Sequence, residues 1–526
     1  LSLIKFLIQF QLPNLFSKNN ILICFGGYIS LLGLSHFSGP IFIQEQKIIT
    51  ALTTKKSNIS NQLESTFSHQ PTSGQLLWFK KISEFLDSPA ENDIFLLKGY
   101  AGTGKSTLIS HLVKNLEIFN FKSVLLAPTG RAAKVISNYS NKSSFTVHKQ
   151  IYFPRSEKGG GVKFMLKNNK FKNTIFIVDE ASMIGGIGQK SSLYENTSLL
   201  DDLIKYVDSG NSCFLILVGD TAQLPPVNLK MSPALNKDNL ESEYKKNTIT
   251  ITLKQVVRQL SDSGILKNAT TVREYILEGV YDKFKFKINP FSDIIRVNDG
   301  NELLNLLDHS LNDSGIDNVI FIVRSNKRAN LYNQNIRQRI LSLESSLSVG
   351  DQLMVVKNNY FWLDIDSQAG FIANGDIIII QKIKKIIELY DFRFAEITAK
   401  LADYPQMPPF ETVLMLDTLS SNSPSLTFEK SQSLYNAVKE DYKGQKSPYK
   451  KYLMVKNNIY FNALQVKYSY CITCHKSQGG QWDNVYVEYP FLLEGPNEDF
   501  FRWLYTAITR SKKRLYLVGF PEEYFN

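Results

Sequence analysis

A glycine-rich stretch between residues 99 and 107 has the residue types and spacing needed to hold a polyphosphate. It reads GYAGTGKST, which matches the pattern G-x-x-x-x-G-K-S. Glycines let the backbone N–H groups point at an anion, the lysine adds a positive charge, and the serine offers a hydroxyl to Mg²⁺. The pattern predicts a nucleotide-binding loop whose contacts come from Gly102, Thr103, Gly104, Lys105, Ser106 and Thr107.

Polar residues that follow apolar runs are candidates for the chemistry at this loop. Asp179 and Glu180 come directly after the apolar run 174–178, and Gln223 comes shortly after the run 214–219. Beside a phosphate loop, we expect Asp179 and Ser106 to hold Mg²⁺ and Glu180 to deprotonate the attacking water. We expect Gln223 to reach a γ-phosphate. The amide of Gln75, upstream of the loop, can read an adenine edge because it both donates and accepts hydrogen bonds.

The elements that position these residues are predicted from the apolar pattern. Short apolar runs alternate with helical stretches up to about residue 258, which predicts a parallel sheet with helices on both faces. Residues 319–323 begin a second such sheet, and residues 350–456 change to short alternating strands, which predicts a small β-barrel insertion. The aromatic and basic stretch 152–172 is either a hairpin for strand contact or an ordinary surface loop.

Composition limits the class of protein. The chain has 526 residues, 43% of them apolar, and a net charge of +11, which together favour several folded domains and a polyanionic partner such as nucleic acid, with a membrane surface as the alternative. Its four cysteines provide no disulfide framework, so we expect a reducing, cytoplasmic location.

The N-terminal 60 residues are unlike the rest. Residues 21–43 carry no formal charge and are long enough to cross a bilayer, but glycines, Pro40 and His36 interrupt them. We interpret residues 1–60 as an extension from an ill-defined start and expect no stable membrane association. A membrane-tethered ATPase is the alternative that these residues leave open.

Taken together, the motifs resemble those of superfamily 1 (1B-type) DNA helicases of the RecD and Dda type. The resemblance runs from about Gln75 to Phe520 with the motifs in the family's order. The segments that carry it are 99–106, 128–134, 146–148, 178–183, 218–227, 256–259, 472–479 and 504–510.

The resemblance implies an α/β fold with two RecA-like parallel-sheet domains, a small β-hairpin insertion and an SH3-like β-barrel insertion. Motor domain 1 would span 61–258 with the hairpin, a strand-separating pin, at 149–172. Motor domain 2 would span 259–349 and 461–526, and the barrel 350–460.

The resemblance also implies roles for individual residues. Arg258 and Arg510 would stabilise charge on the transferring phosphoryl group, and Gly479 would contact the nucleotide. ATP and Mg²⁺ are the implied cofactors, and single-stranded DNA and duplex junctions the implied partners, with movement from 5′ to 3′. The implied DNA contacts are Pro128, Thr129, Arg131, His148, His475, Lys476 and Ser477.

Two alternatives accompany this interpretation. Cys471, Cys474 and His475 satisfy the haem-attachment pattern C-x-x-C-H, but the helicase motif already accounts for His475, and the sequence holds no second cysteine pair for zinc. A DNA-stimulated ATPase that remodels protein–nucleic acid complexes without unwinding would carry the same motifs. The sequence does not indicate a pathway, an oligomeric state or protein partners.

Overall fold

The computed structural model describes residues 59–525 except 157–161, 186–197, 258–262 and 365–366, and gives the backbone alone for 154–156 and 162–164. The segment 21–43 and Arg258 therefore lie outside the described residues. Within the described ranges, no helix is both long and apolar enough to cross a membrane.

The regular elements follow the chain in a strand–helix alternation. The strands are β1 (Asp93–Gly99), β2 (Lys122–Ala127), β3 (Ser144–Thr146), β4 (Tyr152–Ser156), β5 (Val162–Leu166), β6 (Lys172–Val178), β7 (Asn211–Gly219), β8 (Asn247–Leu253), β9 (Ile294–Val297), β10 (Val319–Val323), β11 (Gln352–Val355), β12 (Ile377–Leu389), β13 (Phe392–Leu401), β14 (Phe410–Met415), β15 (Leu464–Tyr468), β16 (Cys471–Thr473), β17 (Trp482–Glu488) and β18 (Ser511–Val518). The helices used below are α1 (Ser73–Asp87), α2 (Lys105–Asn115), α3 (Gly130–Ser140), α4 (Val147–Ile151), α5 (Leu199–Asp208), α6 (Lys237–Ser242), α7 (Gly264–Glu278), α8 (Gly300–Ser314), α9 (Asn326–Asn335), α10 (Asp417–Ser420), α11 (Phe428–Glu440), α12 (Pro448–Lys456), α13 (Cys474–Ser477) and α14 (Glu498–Ile508).

The first sheet is parallel throughout and has the order β3-β2-β6-β7-β1-β8 in the described residues. Successive side chains of β1 pack into the apolar cores on opposite faces of the sheet. Phe95 and Leu97 pack with the apolar faces of α1 and α2, whereas Ile94 and Leu96 pack on the opposite face, against α5. Because helices cover both faces, the strands read as continuous apolar runs, as expected for a buried parallel sheet.

The second sheet is also parallel, with the described order β16-β10-β17-β18-β9, and so unites strands from before and after the barrel. Strands β4 and β5 form a separate antiparallel hairpin, and β11 to β15 close into a barrel. The predicted fold class is confirmed: two parallel-sheet domains, a hairpin and a barrel.

The barrel extends beyond the expected boundary at residue 460. Its last described strand, β15, pairs antiparallel with β11 and parallel with β14. The helical excursion α10–α12 separates β14 from β15 along the chain. This excursion hid the fifth strand from the sequence pattern, because β15 is buried at all five positions and does not alternate.

A buried ion pair joins the second domain to the barrel. The guanidinium of Arg337 makes two parallel hydrogen bonds to Asp351, each 2.8 Å long, and the Asp351 carboxylate also accepts from the Tyr470 hydroxyl at 3.0 Å. Asp351 is fully buried. Removing one partner of such a pair leaves a buried charge without compensation.

We expect Asp351→Ala to lower the free energy of unfolding by about 3–5 kcal/mol, measured by urea denaturation, because Arg337 would remain charged and buried. The control is Glu440→Gln, which breaks a solvent-exposed pair with Lys443 in the same insertion. It should leave the unfolding midpoint unchanged. Equal effects of the two variants would contradict the stabilising role given to the buried pair.

Candidate active site

The phosphate loop connects the end of β1 to the start of α2. Gly102 and Gly104 have φ angles of 76° and 86°, in the left-handed region that favours glycine. The ammonium of Lys105 donates to the carbonyl oxygens of Gly99 at 2.6 Å and Tyr100 at 3.0 Å. In this arrangement Lys105 makes hydrogen bonds within its own loop. The N-terminal N–H groups of α2 point in the direction where an anion binds.

Gln75 lies against this loop, and both ends of its amide make hydrogen bonds. Its Oε1 accepts from the Thr72 N–H at 3.0 Å in a capping box that begins α1, and its Nε2 donates to the Thr103 carbonyl at 3.3 Å. A Cβ on Gly104 would lie only 2.7 Å from that Nε2. Gln75 therefore holds the loop through the Thr103 carbonyl, and it also lines the cavity next to the loop.

The two carboxylates after β6 point to different partners. Asp179 accepts from the Tyr139 hydroxyl at 2.6 Å and from the backbone N–H of Glu180 at 2.9 Å. Glu180 has a φ of 53°, a left-handed conformation that costs free energy for a residue with a Cβ. Burial raises the pKa of Glu180, while the nearby Arg510 charge opposes the shift. Such a carboxylate is a better proton acceptor than an exposed one.

Gln223 lies beyond the end of β7 with its side chain pointing into the cleft. It is 7% exposed, and its Oε1 has no hydrogen-bond partner in the described part of the chain. An unpaired buried amide is costly, so this group is poised for a ligand that donates to it or for a water.

The second domain contributes Arg510, which is 3% exposed and follows α14. Its Nε donates to the Thr506 carbonyl at 2.9 Å, and one terminal nitrogen lies 4.0 Å from a carboxylate oxygen of Glu180. Gly479, with a φ of 74°, packs directly against Ala132 at the domain boundary. Arg258 lies outside the described residues, so its role stays a prediction.

These groups surround one cavity of about 340 Å³. The predicted residues among its lining are Gln75, Gly102, Gly104, Lys105, Ser106, Thr107, Asp179, Glu180, Gln223, Gly479 and Arg510. Thr103 belongs to the loop but is buried, and its hydroxyl donates to the Tyr100 carbonyl at 2.8 Å. The cavity therefore takes its walls from both parallel sheets.

The residues expected to hold Mg²⁺ fit that ion chemically. The Ser106 hydroxyl and the Asp179 carboxylate are hard oxygen donors, which Mg²⁺ prefers. Over the described ranges, no group of three or more His, Cys, Asp or Glu side chains could hold a metal ion.

The predicted DNA contacts of the first domain are all partly buried. The Thr129 hydroxyl accepts from the Ala132 N–H at 3.2 Å and so caps α3, which follows Pro128 and Thr129. The Arg131 guanidinium stacks on Trp482 of the second domain, 4.1 Å from the ring centroid, and burial lowers its pKa. Burial also lowers the pKa of His148 to about 4, so this imidazole is neutral at pH 7.

The predicted DNA contacts of the second domain lie partly at the surface and partly in the interior. His475 is exposed, whereas the ammonium of Lys476 is enclosed without a partner among the described residues, and burial lowers its pKa to about 8. Ser477 is fully buried, and its hydroxyl donates to the Cys474 carbonyl at 2.8 Å. The expected DNA contact by Ser477 therefore needs correction in this arrangement, because its hydroxyl points into the protein.

The two cysteines of the C-x-x-C-H pattern are also interior. Cys471 and Cys474 are at most 1% exposed, and burial raises the pKa of both thiols. The Cys474 thiol donates to the Trp503 carbonyl at 3.4 Å. Both side chains are thus core residues of the second domain, in two different apolar clusters.

A turn of the barrel lies on the first domain where DNA contacts were expected. Lys149 donates to the carbonyls of Gln368 and Ala369, each at 2.9 Å, and Lys134 pairs with Asp403 at 2.8 Å. Asp376, 2% exposed, points its Oδ1 at the first turn of α3, and this atom has no hydrogen-bond partner among the described residues. No pattern in the sequence indicates this contact, because its residues are more than 200 positions apart.

Two family models and several relatives match parts of this chain. Residues 83–229 match the model of the AAA domain, and residues 468–518 match that of the UvrD-like helicase C-terminal domain. The ATP-dependent RecD2 DNA helicase of Deinococcus radiodurans is 30% identical over 188 residues, which are 35% of this chain and 22% of that protein. The ATP-dependent DNA helicase dda of Enterobacteria phage T4 is 23% identical over 440 residues, which are 80% of this chain and 93% of that protein.

The resemblance to superfamily 1 helicases of the RecD and Dda type is confirmed. A crystal structure of the Pif1 helicase from Bacteroides in complex with ADP-AlF3 and ssDNA is 16% identical, covers 87% of this chain and 94% of that chain, and superposes with a TM-score of 0.43.

Sequence reasoning missed two tyrosines of this helicase-like site. Tyr139 lies at the end of α3 and bonds to Asp179, and Tyr505 bonds across the domain boundary. Tyr505 belongs to the motif at 504–510, so its place in that motif could have identified it as a site residue. Tyr139 lies 40 residues before its partner, and no pattern connects the two.

The barrel contact predicts a pH dependence. Burial raises the pKa of Asp376 from 3.8 to about 7, so between these values the folded chain holds a proton that the unfolded chain has lost. Stability therefore falls as pH rises through this window, by about 1.4 kcal/mol per pH unit for a full proton difference. We expect Asp376→Asn to raise the urea midpoint more at pH 8 than at pH 5.

The control for this measurement is Asp391→Asn, which changes an exposed carboxylate in the turn between β12 and β13. It should follow the wild-type pH dependence. If Asp376→Asn followed it as well, Asp376 would not be the group that titrates.

Proposed function

We propose that this chain is an ATP-dependent DNA helicase that moves from 5′ to 3′ on single-stranded DNA and separates duplexes. The observation that carries the proposal is the shared cavity: the phosphate loop, Asp179, Glu180 and Gln223 come from one parallel sheet, and Arg510 comes from the other. A site divided in this way links the state of the nucleotide to the relative position of two domains. The relative dda, named an ATP-dependent DNA helicase, matches over 93% of its length and supports the same function.

ATP binding would begin at the phosphate loop. Lys105 would exchange its bonds to the Gly99 and Tyr100 carbonyls for bonds to the β- and γ-phosphates, and the N-terminus of α2 would add its partial positive charge. Ser106 and Asp179 would hold Mg²⁺, which supplies neutralising charge at the phosphates. The adenine would approach the side of the loop where Gln75, Phe67 and His69 line the cavity.

Hydrolysis would use groups from both domains. Glu180 accepts a proton from water, the water oxygen bonds to the γ-phosphorus, and the bond between that phosphorus and the ADP oxygen breaks, giving ADP and inorganic phosphate. Arg510, and Arg258 by the family pattern, would stabilise the charge on the transferring group. Gln223 would donate from its amide nitrogen to the γ-phosphate and register its loss.

Movement on DNA would follow from changes at the domain boundary. Arg131 of the first domain stacks on Trp482 of the second, and the exposed His475 lies seven residues before Trp482. Opening and closing of the cleft would therefore move the two sets of expected DNA contacts relative to each other. Alternating grip on the strand would turn this motion into steps.

Two variants test the assigned chemistry. We expect Glu180→Gln to bind ATP as the wild type does but to lose at least about a hundredfold in kcat, because the amide cannot accept the proton. Lys105→Ala should lose both tight binding and turnover. Binding is measured with a fluorescent ATP analogue and turnover by phosphate release; near-normal turnover in either variant would refute its role.

A separate experiment tests the motor. Single-stranded DNA should stimulate ATP hydrolysis, and a duplex with a 5′ tail should be unwound while the same duplex with a 3′ tail is not. Stimulation without unwinding of either duplex would instead identify an ATPase that remodels protein–nucleic acid complexes. A rate of hydrolysis that no nucleic acid changes would refute both the helicase and the remodelling ATPase.

A further inference from the structure

The hydroxyl of Tyr505 connects the two domains at the phosphate loop. It accepts a hydrogen bond from the Ala101 N–H at 2.8 Å and donates one to Asp220 Oδ2 at 2.7 Å. Tyr505 is 1% exposed and belongs to α14 of the second domain, whereas both partners belong to the first domain. Burial raises the pKa of this phenol well above its usual range, so the hydroxyl stays protonated and remains a donor.

Asp220 connects Tyr505 to the turn that contains Gln223, the residue expected to contact the γ-phosphate. It is 1% exposed, and its second oxygen accepts from the Ala222 N–H at 2.9 Å, which holds the turn after β7. Gln223 is the next residue of this turn, with its Oε1 unpaired among the described residues. The conformation that aims Gln223 into the cavity therefore depends on a carboxylate that Tyr505 fixes.

The same helix holds the far end of this turn and the cleft arginine. The Thr506 hydroxyl accepts from the Leu224 N–H at 2.8 Å, and Gln478 donates to the Leu224 carbonyl at the same distance. The carbonyl of Thr506 in turn accepts from Arg510 Nε at 2.9 Å. Three parts of the site thus meet on two adjacent residues of α14.

We propose that Tyr505 is a positioning residue for ATP hydrolysis, whose hydroxyl connects the phosphate loop and the Gln223 turn to helix α14, which ends just before Arg510. A γ-phosphate in the loop of the first domain thereby affects the helix of the second domain that positions Arg510. The inference rests on the proposed ATPase function and names a residue that acts through Asp220 and Ala101 without touching the substrate.

Tyr505→Phe tests the proposal because it removes one oxygen and keeps the buried ring. Asp220 then loses a charge-assisted hydrogen bond in a dry site, which corresponds to about a tenfold or larger effect on the step that uses it. We expect kcat for ATP to fall at least about tenfold and KM to stay within about twofold, because the loop N–H groups that bind the phosphates remain.

Tyr516→Phe is the matched control. Tyr516 is also 1% exposed, stacks on Tyr486 with a centroid distance of 4.2 Å, and receives its hydrogen bond from Ser310 within the second domain. A loss that merely reflected a missing buried hydroxyl would appear in both variants. Only a positioning role predicts a loss of kcat confined to Tyr505→Phe.

A binding measurement covers the case in which the wild type turns over too slowly. Affinity for a fluorescent ADP is measured with and without aluminium fluoride, which occupies the γ-phosphate position. The wild type and Tyr516→Phe should bind more tightly with aluminium fluoride, and Tyr505→Phe should lose at least about tenfold of that gain. Circular dichroism confirms folding, and Asp220→Asn, which removes the charge on the acceptor of the Tyr505 hydroxyl, replaces Tyr505→Phe if that variant does not fold.

The outcomes separate this inference from the proposed function. A Tyr505→Phe protein with wild-type kcat and a wild-type gain from aluminium fluoride would overturn the positioning role, as would equal losses in both tyrosine variants. A wild type that hydrolyses ATP without responding to DNA would refute the helicase. The comparison of the two tyrosine variants would still decide the role of Tyr505.

Discussion

The parallel pairing of β6, β7 and β1 is the constraint on which the hydrolysis site depends. Val178 pairs with Leu217, and Lys98 pairs with Gly219, so the three strands end at the same edge of the sheet. Carboxyl ends of parallel strands face a common crevice, which is where open α/β sheets bind ligands. Because both faces of these strands are buried, the register depends on how individual side chains fit the helices on each face rather than on an apolar–polar alternation.

The second constraint is that one domain cannot complete the site. An apolar cluster crosses the boundary, with Tyr100 and Leu224 of the first domain packed among Leu504 and Tyr505 of the second. Polar contacts from α14 and the segment before β17 then lie at defined positions over the phosphate loop. Hydrophobic contact brings the domains together without directional preference, and the buried hydrogen bonds select one arrangement.

The junction between the barrel and the first domain has a different character. It buries Asp376 and part of Asp403 against the start of α3, with Lys134 and Lys149 supplying the opposite charge. Buried charges cost desolvation that their partners only partly return. This junction therefore depends on paired charges, whereas the boundary between the parallel sheets depends on apolar packing.

The sequence by itself determined the local chemistry. The spacing of residues 99–106 sets the phosphate loop, because a tight turn with inward N–H groups needs glycines at fixed positions, and the apolar runs before Asp179 and Gln223 set strands that end at polar residues. Only the tertiary structure decided which of these groups meet. Tyr505 reaches Asp220 across 285 positions, Asp376 of the barrel lies against Gly130 of the first domain, and the Ser477 hydroxyl points inward. Such contacts depend on how separate elements pack, and a pattern within one element carries no information about the element that packs against it.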